Sequence, residues 1–81
     1  MEITVRLFAA FQETVGTDTL PMAWRSGLRA IEVFEWLCGQ YPQLAPWGPH
    51  LRFAVNYEFV PPEHALVAGD EVALIPPVSG G

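Results

Sequence analysis

From Glu2 to Phe8, Ile3, Val5 and Leu7 alternate with Thr4 and Arg6. That two-residue period is the mark of a strand with one buried face. Ala9 to Val15 has no clean period and can hold a short helical turn, and Gly16-Thr17-Asp18 reads as a turn. Thr19 to Trp24 predicts a second strand, hairpinned to the first. Pro21 places it toward a sheet edge, because proline cannot donate to a central ladder. Ala30 to Tyr41 changes period. Ala30, Ile31, Phe34, Leu37, Cys38 and Tyr41 fall on one helical stripe, with Glu32, Glu35 and Trp36 away from it. Pro42 helps to end this helix. Its start is poorly signalled: Ser26 is the nearest good capping residue, and Arg29 stands where Ser or Thr would be stronger. Pro42 to Pro49 reads as a proline-rich loop. Leu51 to Asn56 reads as a third strand, Phe59-Val60 as a short fourth ended by Pro61-Pro62, and Glu71 to Ile75 as a buried last strand after the Gly69-Asp70 turn.

A hairpin, one crossing helix and returning strands predict an α+β domain, with a mixed sheet of four to five strands covered on one face by a single main helix. The first and last strands both read as strongly buried, so they are expected to pair side by side. That arrangement is the ubiquitin-like β-grasp, although periodicity alone leaves other α+β arrangements open. The domain is expected to span residues 1–76, with residues 77–81 as an extended, flexible tail.

At 81 residues the chain has room for one modest core, and 51% hydrophobic residues suffice to build it. Nine acids against four arginines give a net charge of -5. An acidic surface repels phosphate backbones, which disfavours nucleic-acid binding and suits steering toward a basic partner. The sequence contains no lysine, so no side-chain amine can accept an isopeptide bond and the N-terminus is the only amine. Met1 leads directly into a strand pattern, no apolar run approaches membrane-spanning length, and Cys38 has no second cysteine to pair with. A cytoplasmic location, with no membrane partner, is the expectation.

The candidate chemistry lies in Pro76-Pro77-Val78-Ser79-Gly80-Gly81. Two prolines stiffen the exit from the last strand. Two glycines then carry no Cβ, so that backbone can enter a narrow channel and present the Gly81 carboxylate. Five residues from Pro77 reach roughly 17 Å when extended. The alternative is a frayed end, which is common at termini; the strand just before it argues for a tail leaving a fixed point. Cys38 sits on the apolar helix stripe and reads as a structural cysteine. His50 and His64 lack metal-ligand spacing to each other or to Cys38, so no metal site is expected. Glu32-Glu35 and Asp70-Glu71 read most simply as solvated charge.

Several segments resemble the sulfur-carrier family that includes the small subunit of molybdopterin synthase (molybdopterin converting factor subunit 1) and the thiamine-pathway carrier. They are Leu7-Phe8-Ala9, Glu13 with Gly16, the helix ending Tyr41-Pro42, Val55-Asn56, Ala68 to Leu74, and the tail from Pro76 to Gly81. The double proline resembles the molybdopterin branch more than the thiamine branch. Gln12, where the family often has Arg, the helix start without Thr, and the stretch from Ala23 to Arg29 depart from the pattern.

The resemblance implies that an E1-like activating enzyme adenylates Gly81 with ATP. A persulfide from a sulfurtransferase then leaves a thiocarboxylate there. The tail next enters the large synthase subunit, in an assembly of two small and two large subunits, and sulfur passes to a cyclic pyranopterin. The chain itself is then a non-catalytic sulfur donor, with no bound cofactor expected. Gly81 carries the reacting carbonyl and Gly80 permits close approach. Val78 and Ser79 contact the partner's groove, while Pro76 and Pro77 pre-set an extended path. Phe8, Phe59 and Ile75 resemble family positions of an exposed apolar docking surface; the alternative is core or scattered surface apolars. A carrier for thiamine or tRNA thiolation, a ubiquitin-like protein modifier and a plain interaction domain remain compatible with these residues.

Overall fold

The computed structural model describes residues 1–77. The elements run β1 (Glu2–Leu7), α1 (Ala9–Val15), β2 (Thr19–Ala23), α2 (Ala30–Gln40), a 3-10 segment (Pro42–His50), β3 (Arg52–Val55), β4 (Glu58–Val60) and β5 (Glu71–Ile75). The five strands form one mixed sheet in the order β2-β1-β5-β3-β4. β1 and β5 are parallel, with Val5 opposite Val72 and Leu7 opposite Leu74. The other pairings are antiparallel. With α2 across one face, this is the ubiquitin-like β-grasp, and the expected pairing of first and last strands is present.

The core lies between the sheet and α2. Ile3, Val5, Leu7, Phe53, Val55, Val72 and Leu74 point from the strands, and Ala30, Val33, Phe34 and Leu37 point from the helix. Each such aliphatic or aromatic side chain contributes roughly 1.5–3 kcal/mol when fully buried. Val33 is buried although the expected stripe omitted it, and Trp36 is half-buried against the core rather than outside it. The buried face of α2 is therefore wider than one stripe.

The ambiguous stretch after β1 is the helix α1. Its Phe11 is fully buried, with its ring centroid 6.1 Å from that of Phe34 and 6.2 Å from that of Trp47. Gly16 ends α1 at φ +89°, a conformation that a Cβ would strain. The proline-rich stretch expected as a loop is helical from Pro42 to His50. It folds back on α2 closely enough that a Cβ on Gly48 would lie 3.1 Å from the Phe34 ring. Leu44 anchors it in the core. β2 stops at Ala23 and is an edge strand, as Pro21 requires.

Ser26 does not cap α2. The first-turn donors are satisfied from elsewhere: Ala30 N–H donates to the His64 carbonyl at 3.0 Å and Ile31 N–H to the Pro62 carbonyl at 2.8 Å. Arg29 N–H donates to the Glu32 carboxylate at 2.9 Å. The segment after β4 thus supplies what a Ser or Thr cap would have supplied. Trp24, in the unusual Ala23 to Arg29 stretch, donates its indole N–H to the Leu66 carbonyl at 2.9 Å and ties that stretch to the same segment. Glu32, expected as solvated charge, is half-buried and also pairs with Arg25.

The hydrogen bond from Arg29 N–H, and then the charge and donors of Arg25, hold the Glu32 carboxyl below its ordinary value of 4.5. A folded-state pKa below the unfolded one adds stability above the unfolded value, and that stability is lost as pH falls through the folded value. Melting curves taken from neutral pH down through 4.5 should show this loss in the wild type. Glu32→Gln, which keeps an acceptor but no charge, should lack it, so the stability gap between the two closes as pH falls.

Candidate sheet-face docking site

Residues whose side chains alternate with the core set face away from α2. Directly paired residues share a face, so Arg6 and Ala73, Ala54 and Ala73, and Ala54 and Phe59 meet on this open side. They line a shallow groove of about 360 Å³ together with Phe8, Tyr57, Glu71 and Ile75. Among the described residues no helix covers this face.

The groove is apolar with one balanced charge pair. Arg6 Nη1 lies 3.2 Å from Glu71 Oε2, with both side chains about one-third exposed. Arg52 stands 5.4 Å over the Phe59 ring, where the ring quadrupole attracts the guanidinium. Ala54 is only 7% exposed, yet it lies outside the helix-side core; the groove residues themselves cover it. Phe8 and Phe59 remain 40% and 66% exposed. Of the three expected docking residues, Phe8 and Phe59 are exposed, Ile75 is half-buried, and all three line this one groove. None belongs to the buried core.

β5 carries Glu71, Ala73 and Ile75 along the groove and leads straight on to Pro76, which is buried, and Pro77, which is exposed. Pro76 is therefore also part of the packed domain. Val78, Ser79, Gly80 and Gly81, including the expected reacting carboxylate, lie outside the described residues.

Sequence reasoning missed two contributors. The first is Tyr57, which is 86% exposed on the groove rim. Asn56 and Tyr57, at φ 50° and 73°, form the two-residue connection between β3 and β4, with Val55 opposite Glu58. Two positive φ values in a two-residue hairpin define a type I′ turn. Asparagine was the available signal for it, but tyrosine in the second position hid it.

The second is Asp70, expected as solvated charge and found 6% exposed. Its carboxylate accepts from Asn56 Nδ2 at 2.9 Å and from Val67 N–H at 2.8 Å. Asn56 Oδ1 accepts from Glu71 N–H at 3.0 Å, and Asn56 N–H donates to the Glu71 carbonyl at 2.8 Å. This network fixes the β3–β4 turn, and so the groove rim, to the start of β5. Glu71, likewise expected as solvated, is half-buried and paired.

Cys38 is half-buried on α2, on the side away from the groove. Burial, and then the charge of Glu35, push its thiol above the ordinary value, which disfavours the nucleophilic thiolate. His50 ends the 3-10 segment, and His64 uses its backbone carbonyl to receive the start of α2. Among the described residues no cluster of histidine, cysteine and carboxylate side chains is arranged to hold a metal ion. None of the described helices is long and apolar enough to cross a membrane.

The signature of the ThiS family matches residues 5–81. The chain belongs to the ThiS family. It is 38% identical over 82 residues to the molybdopterin synthase sulfur carrier subunit of Escherichia coli, covering 98% of this chain and 99% of that one. It is 35% identical over 83 residues to the subunit of the same name from Chlamydomonas reinhardtii, with both chains covered in full. Among solved structures, SAMP1 (small archaeal modifier protein 1) from Haloferax volcanii superposes with a TM-score of 0.85 at 29% identity, also over the full length of both chains. The family resemblance carried by the tail, Val55-Asn56 and the run from Ala68 to Leu74 therefore holds for the chain as a whole.

Two substitutions separate the groove from its support. Phe59→Ala should change unfolding free energy by no more than about 1 kcal/mol, because the residue is 66% exposed. Asp70→Ala should cost about 1–3 kcal/mol, because it leaves the Val67 N–H and the Asn56 amide without their acceptor. Urea unfolding of the two variants beside the wild type measures both.

Proposed function

We propose that this protein is the sulfur carrier subunit of a molybdopterin synthase. The observation that carries this reading is the continuity between the apolar groove and the tail: β5 lines the one and leads directly into the other. A partner that covers Phe8, Phe59 and Ile75 also meets the end of β5, where Pro76 and Pro77 follow. Its active site can then receive Val78, Ser79, Gly80 and Gly81. The names of the family relatives support the same reading.

The chemistry belongs to the Gly81 carboxylate. In an E1-like activating enzyme, a carboxylate oxygen attacks the α-phosphorus of ATP and pyrophosphate leaves. The mixed anhydride makes the carbonyl carbon electrophilic. A persulfide sulfur, delivered by a sulfurtransferase, attacks that carbon and AMP departs. A thiol then cleaves the S–S bond, leaving a thiocarboxylate on Gly81 and a disulfide on the donor. In the large synthase subunit the thiocarboxylate sulfur attacks a side-chain carbon of the pyranopterin and displaces the oxygen bonded there; water then cleaves the resulting thioester, restoring the Gly81 carboxylate and leaving the sulfur on the pterin. The carrier contributes position: Pro76, held in the domain, and Pro77 limit the tail's freedom before docking, so less entropy is lost on insertion. The partner aligns the reacting atoms. Two sulfurs per dithiolene require two loaded carriers or two rounds, which two small and two large subunits accommodate. The location is the cytoplasm, where the unpaired Cys38 stays reduced.

A second reading, a protein modifier, is favoured by the full-length likeness to small archaeal modifier protein 1. It uses the same adenylate but ends in an isopeptide bond to a target lysine. With no lysine of its own, this chain would be added singly to targets unless its N-terminus were used.

Intact-mass measurement tests the two readings. The purified chain is incubated with its host's cell extract, ATP and a sulfide source. An oxygen-for-sulfur mass gain, lost again when the large subunit and pyranopterin precursor are added, is the expected result; deleting Gly81 should abolish it while the melting temperature stays unchanged. Gly81 found joined to lysines of other proteins, with no sulfur gain, would instead establish the modifier.

A further inference from the structure

We infer that the Tyr57 ring is an anchor for the large synthase subunit, a contact beyond the Phe8, Phe59 and Ile75 surface. The inference rests on the carrier reading above and deepens it. Tyr57 sits at the second position of a type I′ turn with φ 73°, where glycine is the favoured residue and a tyrosine is strained. Asn56 beside it has a local reason for its positive φ: its side chain links Asp70 to the Glu71 N–H, and asparagine tolerates this region. Tyr57 has no comparable reason. It is 86% exposed, so its ring does not repay the strain through core packing.

Its position supplies the explanation. Tyr57 lines the same groove as Phe8 and Phe59. Among the described residues, the non-glycine positions with positive φ are Ala9, Asn56 and Tyr57. Ala9 follows Phe8 directly, and the other two form the turn before Phe59. The backbone departures thus adjoin the groove's exposed aromatic side chains. Strain of this kind persists where the surrounding structure holds it and where the resulting shape is used. Here the Asp70–Asn56 network holds the turn.

The occupant follows from the groove's chemistry and from its continuity with the tail. Arg6 and Glu71 neutralise one another, so the groove lining itself offers an apolar surface, with the Arg52 guanidinium beside it over Phe59. On the carrier reading, a protein that receives the residues after Pro77 meets the end of β5, and β5 lines this groove. Tyrosine is a rigid, amphipathic anchor that loses little entropy on docking and is enriched among residues that dominate binding. The ring, rather than the hydroxyl, makes the contact, because the groove beside it is apolar.

Full-length variants titrated against the host's molybdopterin synthase large subunit, with melting curves recorded in parallel, decide the point. Tyr57→Gly and Tyr57→Asn both suit a positive φ. Each should weaken binding about tenfold or more at an unchanged or higher melting temperature, and Tyr57→Phe should bind as the wild type does. If Phe59→Ala weakens binding while Tyr57→Gly and Tyr57→Asn do not, Tyr57 is no anchor and the groove stands without it. If none of these variants weakens binding, the groove reading falls and this inference falls with it. A loss of affinity that tracks a lower melting temperature makes Tyr57 a turn residue only. A loss of affinity shared equally by Tyr57→Phe would place the contact on the hydroxyl and overturn the assignment to the ring.

Discussion

The parallel pairing of β1 with β5 is the constraint on which the rest of the molecule depends. Val5 and Val72 are opposite one another at the centre of the sheet, and neither is accessible to solvent. Parallel neighbours cannot be joined by a tight turn, so the connection must cross a face of the sheet. Here it carries both helices, the 3-10 segment and the other three strands. The crossing gives the sheet a dry face under the helix and an open face opposite. It also sets β5, the last strand before the tail, in the middle of the sheet. A bare apolar groove and a last strand that runs along it to Pro76 are both consequences of this one pairing.

Two side-chain contacts interrupt the apolar area of the open face. Arg6 and Glu71 pair across the two central strands, and Arg52 lies over Phe59. Both contacts are partly exposed and contribute little to stability. They limit the contiguous apolar area without filling the groove. Support is placed elsewhere. The buried carboxylate of Asp70 binds the β3–β4 turn to the start of β5, and the segment after β4 closes the start of α2 with backbone carbonyls.

Much of the fold was legible because hydrophobic period and turn residues are local signals. The alternation of Ile3, Val5 and Leu7, the helical stripe from Ala30 and the Gly69-Asp70 turn each mark their element without knowledge of the partner. The misread positions share one physical cause. Asp70 and Glu71 look solvated until Asn56 and Arg6, distant in sequence, are brought to them. Arg29 looks like a poor cap until His64 and Pro62 supply their carbonyls. The Pro42–His50 segment looks like a loop because its prolines mask a tight helix that Leu44, Trp47 and the close approach of Gly48 to Phe34 hold in place. Phe8, Phe59 and Ile75 were placed on a docking surface only through family resemblance; their own pattern does not distinguish core from exposed face.

The sequence by itself determined the strand and helix periods, the edge position of β2 through Pro21, the absence of lysine and the Pro-Pro and Gly-Gly pattern of the tail. Each depends on the chemistry of a residue and its near neighbours. Only the tertiary structure decided that Phe8, Tyr57, Phe59 and Ile75 converge on one groove, that Ala54 is covered from the open side, and that Asp70 is a buried strut. Those facts depend on which strands become neighbours and in what register, and register is set by burial of the whole set of inward residues at once.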